Sequence, residues 1–420
     1  RRNLQRFLNA AFTSSDRYAA VLRAPEALNR SLRLFGVSDF LTDILVRHPQ
    51  EISTVEEIGE PRARSDSGHL FGDGDAYSIA SDPVFAYVAS SLASGGEKLS
   101  LIRQHYRHRV FAAGARDVME MRTVYESLSE MSAIADDAIR AALAISDPPA
   151  GFSVLALGRL GTSEFDIASD ADLLFVRHES VDTKAATLVA ERIVEALAAY
   201  TIDGTVFAVD PRLRPRGTEG ELVVTPSGLA GYFAEEARPW EALTYTKLRH
   251  IAGAEDLAVR TMSAVDGHTA RFASDRQRFA QDVREMRAKL EKSGEPDFKR
   301  DAGGFYDIDF IVSFLAVVCG REGVQGNISE RLHALAEREL LSDADCATLD
   351  NAAELLRTLE HVIRLVLGKA RKSLSAGEHA RHTTEQFTAR ILGRSFPKGL
   401  DYELEQTARA VREVYLRLVA

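Results

Sequence analysis

Residues 169–176 read SDADLLFV, in which two aspartates lead directly into an apolar run. Alternate residues of a β-strand point to the same face, so Asp170 and Asp172 should lie side by side while the apolar run anchors the strand in a core. Neighbouring carboxylates repel each other unless a cation lies between them, and Mg²⁺ held by one or two carboxylates plus substrate phosphates is a usual arrangement. The alternative is an ordinary pair of solvated aspartates at the edge of a sheet.

A third aspartate and a glycine-containing turn flank this segment. Asp210 ends the next strand pattern along the chain, which would complete a two-metal site. The upstream segment GRLG (158–161) follows an apolar strand, where glycines would let backbone N–H groups approach phosphate oxygens. A plain tight turn would explain the same glycines.

Two arginines follow the third aspartate at once. In DPRLRP (210–215), strand alternation would put Arg212 and Arg214 on one side, and guanidinium groups beside a metal-carboxylate site suit phosphate binding. An ordinary pair of surface arginines is the alternative. The four features in this order favour nucleotidyl transfer, with catalysis and metal binding by Asp170, Asp172 and Asp210.

The sequence around these motifs predicts a small sheet between helical regions. Apolar runs at 152–157, 171–176 and 205–209 predict strands, and residues 183–200 have helical spacing. Ser38 and Asp82 look like helix caps, one long helix is predicted from Arg116 to Ile145, and the chain becomes helical again from about residue 228. We predict an N-terminal helical region (1–147), an α/β domain (148–255) and a C-terminal helical bundle (256–420).

Composition excludes several classes of protein. Lys and Arg total 52 against 62 Asp and Glu, a formal net charge of -10, which argues against a protein that coats nucleic acid. Basic residues between Lys98 and Arg116 are better explained as a solvated helix face than as a nucleic-acid patch. Cys319 and Cys346 lack partners at zinc spacing. No apolar run approaches the ~20 residues of a membrane span. We therefore expect a cytoplasmic protein with no nucleic-acid and no membrane partner.

Segments along most of the chain resemble one enzyme family. The runs LGRLGTSEFDIASDADLLFV (157–176) and FAVDPRLRPRGTEGELVV (207–224) resemble the adenylyltransferases that modify glutamine synthetase. The resemblance continues in SDFLTDILVRHPQE (38–51), in Trp240-Glu241 with Lys247 and Arg249, and in DAGGFYDIDF (301–310). Three positions depart from the family pattern, namely Pro211, Phe305 and Asp309.

The resemblance implies an α+β, mainly helical fold with a small DNA polymerase β-like nucleotidyltransferase sheet flanked by N- and C-terminal helical regions. It implies Mg²⁺ as cofactor, ATP as co-substrate, glutamine synthetase as protein substrate and a PII-type nitrogen-signalling protein as a further partner. Matched positions imply nucleotide binding by Gly158, Arg159, Gly161, Ser169, Arg212, Arg214, Lys247 and Arg249.

Proteins of this family hold two such units, and the direction of reaction differs between them. The N-terminal unit removes AMP by phosphorolysis, and the C-terminal unit attaches AMP from ATP to a tyrosine and releases pyrophosphate. The pair Tyr306-Asp307 resembles the attaching unit, because the removing unit tends to have Arg-Glu there. The chain does not begin with Met, which fits an excised C-terminal half. Removal of AMP and a non-catalytic regulatory module are the alternatives, and the intact aspartates argue against the module.

Other acidic and histidine residues give weaker signals. Asp73 and Asp75 lie in a polar Gly/Ser-rich segment at 60–80, which is predicted to be a loop. Asp307 and Asp309 should begin a helix, where the family position suggests a role near the nucleotide. His361 lies in an apolar helical pattern and is predicted to be structural.

Overall fold

A computed structural model describes residues 1–23, 25–59, 82–291, 297–374 and 377–419, which form helices around a small sheet. The strands are β1 (Phe152–Ala156), β2 (Ala171–Arg177), β3 (Val209–Asp210), β4 (Val223–Val224) and β5 (Arg249–Gly253). The helices are α1 (Arg2–Ala11), α2 (Ser15–Leu22), α3 (Pro25–Val37), α4 (Asp39–Arg47), α5 (Pro83–Ser90), α6 (Gly95–Glu120), α7 (Val124–Ile145), α8 (Gly158–Gly161), α9 (Thr183–Ala198), α10 (Pro226–Glu235), α11 (Pro239–Tyr245), α12 (Glu255–Ala273), α13 (Arg276–Glu291), α14 (Phe305–Cys319), α15 (Ile328–Glu337), α16 (Asp343–Leu367), α17 (Glu378–Leu392) and α18 (Leu400–Leu418). Two 3-10 helices span Pro49–Glu57 and Gly217–Glu219. The predicted α+β, mainly helical fold class is confirmed.

The sheet is mixed, and β2 is its organising strand. β1 pairs antiparallel with β2 on one side and with β5 on the other. The other edge of β2 pairs in parallel first with β3 and then with β4. All five residues of β1 are buried, as expected for a central strand whose two faces are both covered.

Apolar clusters cover both faces of the sheet. One cluster joins the N-terminal helices to the sheet and includes Val110, Phe175 and Val362. Another packs Leu155 and Leu174 on the opposite face against α10 and α12. The predicted domain boundaries at 147/148 and 255/256 stay a prediction.

Helix α16 is the central element of the C-terminal part. Leu355, Leu359, Val362 and Val366 recur at helical spacing, and all four are buried. The helix is in fact buried on nearly every side between Ala352 and Val366. Such a helix contacts several other elements, so its polar side chains must find partners inside the protein.

Local signals in the sequence explain several helix boundaries. Ser38 caps α4 by accepting a hydrogen bond from the Leu41 N–H at 2.9 Å, and Asp82 caps α5 through its side chain. Both predicted caps are therefore confirmed. The predicted helix from Arg116 to Ile145 is wrong, because α6 ends at Glu120 and a capping box at Thr123 starts α7.

Three strand predictions need correction. The third strand is only Val209–Asp210, shorter than the predicted 205–209 run, and β5 lies in a region that was predicted to be helical. Residues 211–214 form a turn, so the strand alternation expected for Arg212 and Arg214 is also wrong. Because β5 begins with Arg249 and His250, its sequence lacks the continuous apolar pattern that predicts a buried strand.

Cations of α6 contact the rest of the chain and do not form a solvated face. Buried Arg103 donates to the Ala196 carbonyl oxygen at 3.1 Å, and Arg107 donates to that of Asp203 at 3.2 Å. Lys98 donates to the Ala89 carbonyl oxygen at 2.9 Å. The solvated-face interpretation of this cluster is therefore wrong for these three residues.

No helix in the described ranges combines the length and apolar character that crossing a membrane would require. The predicted loop at 60–80, with Asp73 and Asp75, lies outside the described residues.

Candidate active site

The sheet edge brings two of the predicted aspartates together. Asp172 and Asp210 are register partners in the parallel pairing of β2 with β3. Asp170 lies two residues before Asp172 and is exposed just ahead of the strand. All three aspartates line one cleft of about 540 Å³ that opens between the sheet edge and helices α11, α13, α14 and α16.

The three carboxylates repel each other, and Asp172 shows this most clearly. Burial, together with the charges of Asp210 and Asp170, raises the pKa of Asp172 to about 6, against opposing effects of Lys247 and Lys299. An aspartate with this pKa prefers a proton or a cation to standing alone as an anion. The cleft therefore contains concentrated and poorly compensated negative charge.

Arg212 binds the carboxylate of Asp210, where a metal cation is predicted to bind. Its Nε lies 2.9 Å from both carboxylate oxygens of Asp210, and its backbone N–H donates to Oδ1 at 2.9 Å. These hydrogen bonds lower the pKa of Asp210. The side chain of Arg212 is 70% exposed, so the guanidinium group is free to move into solvent.

The donor set suits a hard divalent cation such as Mg²⁺, because all three candidate ligands are carboxylates. As the structure stands, no three acidic, His or Cys side chains in the described part of the chain are grouped to hold a metal ion. Asp210 is instead held by Arg212. Metal binding by the three aspartates therefore stays a prediction, and it requires Arg212 to release Asp210.

The two predicted glycines have steric roles beside Asp172. Gly158 has a φ of +54°, and a Cβ there would lie 2.0 Å from Oδ2 of Asp172. A Cβ on Gly161 would lie 2.1 Å from the Lys247 carbonyl oxygen. The Gly161 N–H donates to the Leu157 carbonyl oxygen at 2.9 Å. Any side chain at either position would therefore displace a wall of the cleft.

Several other predicted nucleotide-binding residues have partners within the protein. Arg214 donates to the Pro211 carbonyl oxygen at 2.7 Å and to that of Gly220 at 3.2 Å. Arg249 pairs with Asp136 at 2.7 Å and donates to the Leu160 carbonyl oxygen at 2.7 Å. In this structure the two arginines brace the turn after β3 and the base of α8.

Ser169 and Lys247 do lie at the cleft. The Ser169 hydroxyl is buried and has no hydrogen-bond partner among the described residues. Lys247 Nζ lies 2.6 Å from Oδ2 of Asp309. Asp309, which is shorter than the glutamate usual in the resembled family, still reaches this lysine.

The pair Asp307 and Asp309 has divided roles. Asp307 forms an ion pair with Arg287 at 2.6 Å and accepts a hydrogen bond from Arg412 at 3.1 Å, away from the cleft, while Asp309 lines it. Both belong to α14, as predicted. Only Asp309 lies where a role near the nucleotide is available to it.

A buried ionic network forms the floor of the cleft. Glu360 accepts hydrogen bonds from Arg159 at 2.7 Å, from Arg364 at 3.1 Å and from Arg357 at 3.2 Å. Arg357 also pairs with Glu164 at 2.9 Å. A nucleotide bound by Arg159, as predicted, would therefore have to compete with Glu360 for this arginine.

His361 extends this network below the cleft. Its Nδ1 lies 2.8 Å from Asp166 and its Nε2 lies 3.3 Å from Asp117. Burial alone would lower the pKa of His361, but Asp166 and Asp117 outweigh it and raise the pKa to about 10. The histidine is therefore a buried cation between two carboxylates, in keeping with a structural role.

Lys299 was missed by sequence reasoning. It lines the cleft beside Tyr306, and its Nζ lies 5.4 Å from the centre of the Tyr306 ring. The segment that resembles the family begins at Asp301, two residues after this lysine. Its segment carries no apolar or alternating pattern that would have drawn attention to it.

A second groove, of about 910 Å³, reaches Asp170 from the other side. It shares Ala168, Ser169 and Asp170 with the cleft. Its other lining residues include Phe40 and Tyr106 of the N-terminal helices. Asp170 thus lines both cavities, whereas Asp172 and Asp210 line only the cleft.

The family model for glutamate-ammonia ligase adenylyltransferase matches residues 28–264, which include the aspartates, the glycines and the turn after β3. The chain belongs to this family. A second family model, for GlnD PII-uridylyltransferase, matches residues 275–419 of this adenylyltransferase-family chain.

Curated relatives of this family carry a two-part name. The chain is 30% identical over 370 residues to the "bifunctional glutamine synthetase adenylyltransferase/adenylyl-removing enzyme" of Streptomyces coelicolor, covering 82% of this chain and 35% of that protein. It is 27% identical over 383 residues to the protein of the same name from Hahella chejuensis, covering 83% of this chain and 38% of that protein. The chain thus spans little more than a third of the length of either relative.

Proposed function

We propose that this chain transfers AMP from ATP to a tyrosine of glutamine synthetase and releases pyrophosphate. The observation that carries the proposal is the cleft itself, which is lined both by the three carboxylates of the sheet edge and by Lys247 and Lys299, whose charges act on Asp172. Such a cleft offers negative charge for cations and positive charge for phosphates in one small volume. Family membership and the names of the relatives support the choice of substrates.

Asp170, Asp172 and Asp210 would hold Mg²⁺. Bound there, Mg²⁺ would polarise the α-phosphate of ATP and neutralise charge on the departing pyrophosphate. The raised pKa of Asp172 supports this assignment, because a group that disfavours its lone anion gains most from a cation.

The chain's own residues account for the remaining steps. The tyrosine oxygen attacks the α-phosphorus, the bond from that phosphorus to the bridging oxygen breaks, and pyrophosphate leaves toward the lysines of the cleft. Asp210 accepts or directs the tyrosine proton, since a phenol with a pKa of about 10 needs activation near neutral pH. Arg212, once released from Asp210, can follow the phosphates, because its side chain is 70% exposed.

The acceptor tyrosine would enter through the second groove. That groove includes Asp170 but not Lys247 in its lining, and it is lined partly by aromatic and aliphatic side chains, among them Phe40, Tyr106 and Phe207. An attacking oxygen must approach opposite the leaving group, so two cavities that share Asp170 suit an in-line displacement.

The attaching direction rests on the resemblance of Tyr306 and Asp307 to the attaching unit of the family. Tyr306 lines the cleft, so the side chain at this position is within reach of a bound nucleotide. A cytoplasmic setting and a PII-type signalling partner belong to the same proposal.

Two parallel incubations test the function. One contains unmodified glutamine synthetase, labelled ATP and Mg²⁺, and the other contains the adenylylated enzyme and inorganic phosphate. We expect label on glutamine synthetase in the first tube and no ADP in the second, with Asp172→Asn as the inactive control. ADP in the second tube without label in the first would show that the chain removes AMP instead of attaching it. No product in either tube would favour the non-catalytic regulatory module.

A further inference from the structure

The lining of the cleft is rich in cations besides its aspartates, and most of these cations are paired with carboxylates of the protein. Those that line it are Arg159, Lys247, Lys299, Arg357 and Arg364. Lys247 pairs with Asp309 at 2.6 Å, and the three arginines all pair with Glu360 at 2.7–3.2 Å. The charges of these four cations are therefore largely balanced by carboxylates of the protein.

Lys299 differs from the other four. Within the described ranges its Nζ forms no hydrogen bond and no ion pair, and its closest aromatic neighbour is the Tyr306 ring at 5.4 Å from the ring centre. Burial lowers the pKa of Lys299 to about 8, since the attraction of Glu360 is offset by Arg159, Arg357 and Arg364. A partly buried ammonium group without a counter-ion is unfavourable, so an anion arriving from solvent would be bound.

The backbone of Lys299 is fixed from both sides. Its N–H donates to the Asp297 carboxylate at 3.0 Å, and its carbonyl oxygen accepts from the Tyr306 N–H at 2.9 Å. The lysine thus lies in a braced turn that leads into α14. Little conformational freedom of the backbone would be lost when a ligand binds.

The Lys299 charge also reaches across the cleft. It is among the charges that act on Asp172, together with that of Lys247. A group held between Asp172 and Lys299 would therefore face both the metal-binding carboxylates and this free ammonium group. Phosphate groups bridge carboxylate-bound cations and basic side chains in the same way.

We propose that Lys299 is the counter-ion for a phosphate group of the substrate, bound in the cleft across from Asp172. The proposal builds on the function proposed above and names the subsite that holds phosphate. The phosphate belongs either to the β,γ end of ATP or to free inorganic phosphate, and both present the same oxyanion to Lys299.

Direct binding of two small anions tests this subsite without glutamine synthetase. Calorimetric titrations with pyrophosphate and with inorganic phosphate, both in Mg²⁺, compare the wild type with Lys299→Met and Lys299→Gln. We expect at least one anion to bind about tenfold or more weakly to both variants, which corresponds to a lost charge-assisted hydrogen bond. A loss for pyrophosphate identifies the ATP end as the source, and a loss for phosphate identifies the free ion.

Two further variants make the titrations specific. Lys299→Arg keeps the charge and should recover most of the affinity, whereas Lys372→Met removes an exposed lysine from the neighbouring loop and should change nothing. Both anions binding to Lys299→Met and Lys299→Gln as tightly as to the wild type would overturn the proposal. That result would leave AMP transfer untouched, and a wild type that binds pyrophosphate through Lys299 but transfers no AMP would sink only the proposed function.

Discussion

The carboxylate edge of the sheet and the ionic network on α16 both concentrate charge, but they treat it in opposite ways. In the network, each glutamate and arginine has an opposite charge within hydrogen-bond distance, as Glu360 has with three arginines. At the sheet edge, the negative charges of Asp170 and Asp210 act on Asp172, and Asp210 is paired with Arg212, whose side chain is 70% exposed. The two regions are walls of the same cleft.

The contrast separates charge that holds the fold from charge that awaits a ligand. Buried ion pairs are expensive to assemble, but once formed they cannot lose one partner without a large penalty. Like charges at an open edge raise the free energy of the empty site, and a cation or proton relieves it. Removing a network residue should therefore damage stability, whereas removing an edge aspartate should damage only chemistry.

The largest effect should come from Asp172→Asn. We expect adenylyl transfer to fall by about a thousandfold or more, because a metal ligand and its charge are lost together. The free energy of unfolding of the metal-free protein at pH 7 should instead rise, by about 1–2 kcal/mol. Chemical denaturation and labelled ATP measure the two quantities on the same preparation.

The sign of the stability change follows from the pKa. The pKa of Asp172 is raised to about 6 in the folded protein, so its favourable contribution is present below about pH 4 and is lost as pH rises through 6. Asparagine mimics the protonated form at every pH. Asp256→Asn, at an exposed site on α12, is the matched control, and a less stable Asp172→Asn protein would contradict the interpretation.

In the network, His361→Gln should cost stability. Removing the cation leaves Asp117 and Asp166 buried without their shared partner, which typically costs about 3–5 kcal/mol. Because the folded pKa of His361 is raised to about 10, its contribution is complete below pH 6.5 and is lost as pH rises toward 10. Thermal unfolding between pH 6 and 10 should show this loss in the wild type and in His379→Gln, an exposed control, but not in His361→Gln.

The smallest effect should come from Arg212→Gln. This exposed arginine competes with a cation for Asp210, so its removal should lower the Mg²⁺ concentration for half-maximal activity by about two- to threefold. The melting temperature should stay unchanged. Arg216→Gln breaks a comparable exposed pair with Glu236 and should leave the Mg²⁺ requirement alone. A higher Mg²⁺ concentration for half-maximal activity in Arg212→Gln would show that this arginine assists metal binding and does not compete with it.

The sequence was most informative where local rules apply. Strand alternation predicted that Asp170 and Asp172 belong together, and capping rules placed Ser38 and Asp82 at helix starts. The fold class followed from the same periodicities. Each of these predictions depends on residues that are neighbours in the chain.

Predictions that depend on distant partners were less successful. Arg249 matched a nucleotide-binding motif, yet its guanidinium group pairs with Asp136 of α7, more than a hundred residues earlier. Lys299 was missed because nothing in its local sequence shows that, among the described residues, its ammonium group lines the cleft without a hydrogen bond or an ion pair. Gly161 is predicted from the sequence to contact phosphate, whereas in the structure a Cβ at this position would meet the Lys247 carbonyl oxygen.

The contrast between the two walls predicts that a divalent cation stabilises the wild type through the aspartates. Thermal unfolding of the wild type, Asp172→Asn and Asp256→Asn with and without millimolar Mg²⁺ tests this most directly. We expect Mg²⁺ to raise the melting temperature of the wild type and of Asp256→Asn by several degrees, and to leave Asp172→Asn unchanged. An equal rise in all three proteins would show that the cation binds elsewhere and would contradict the assignment of Asp170, Asp172 and Asp210 as the metal site.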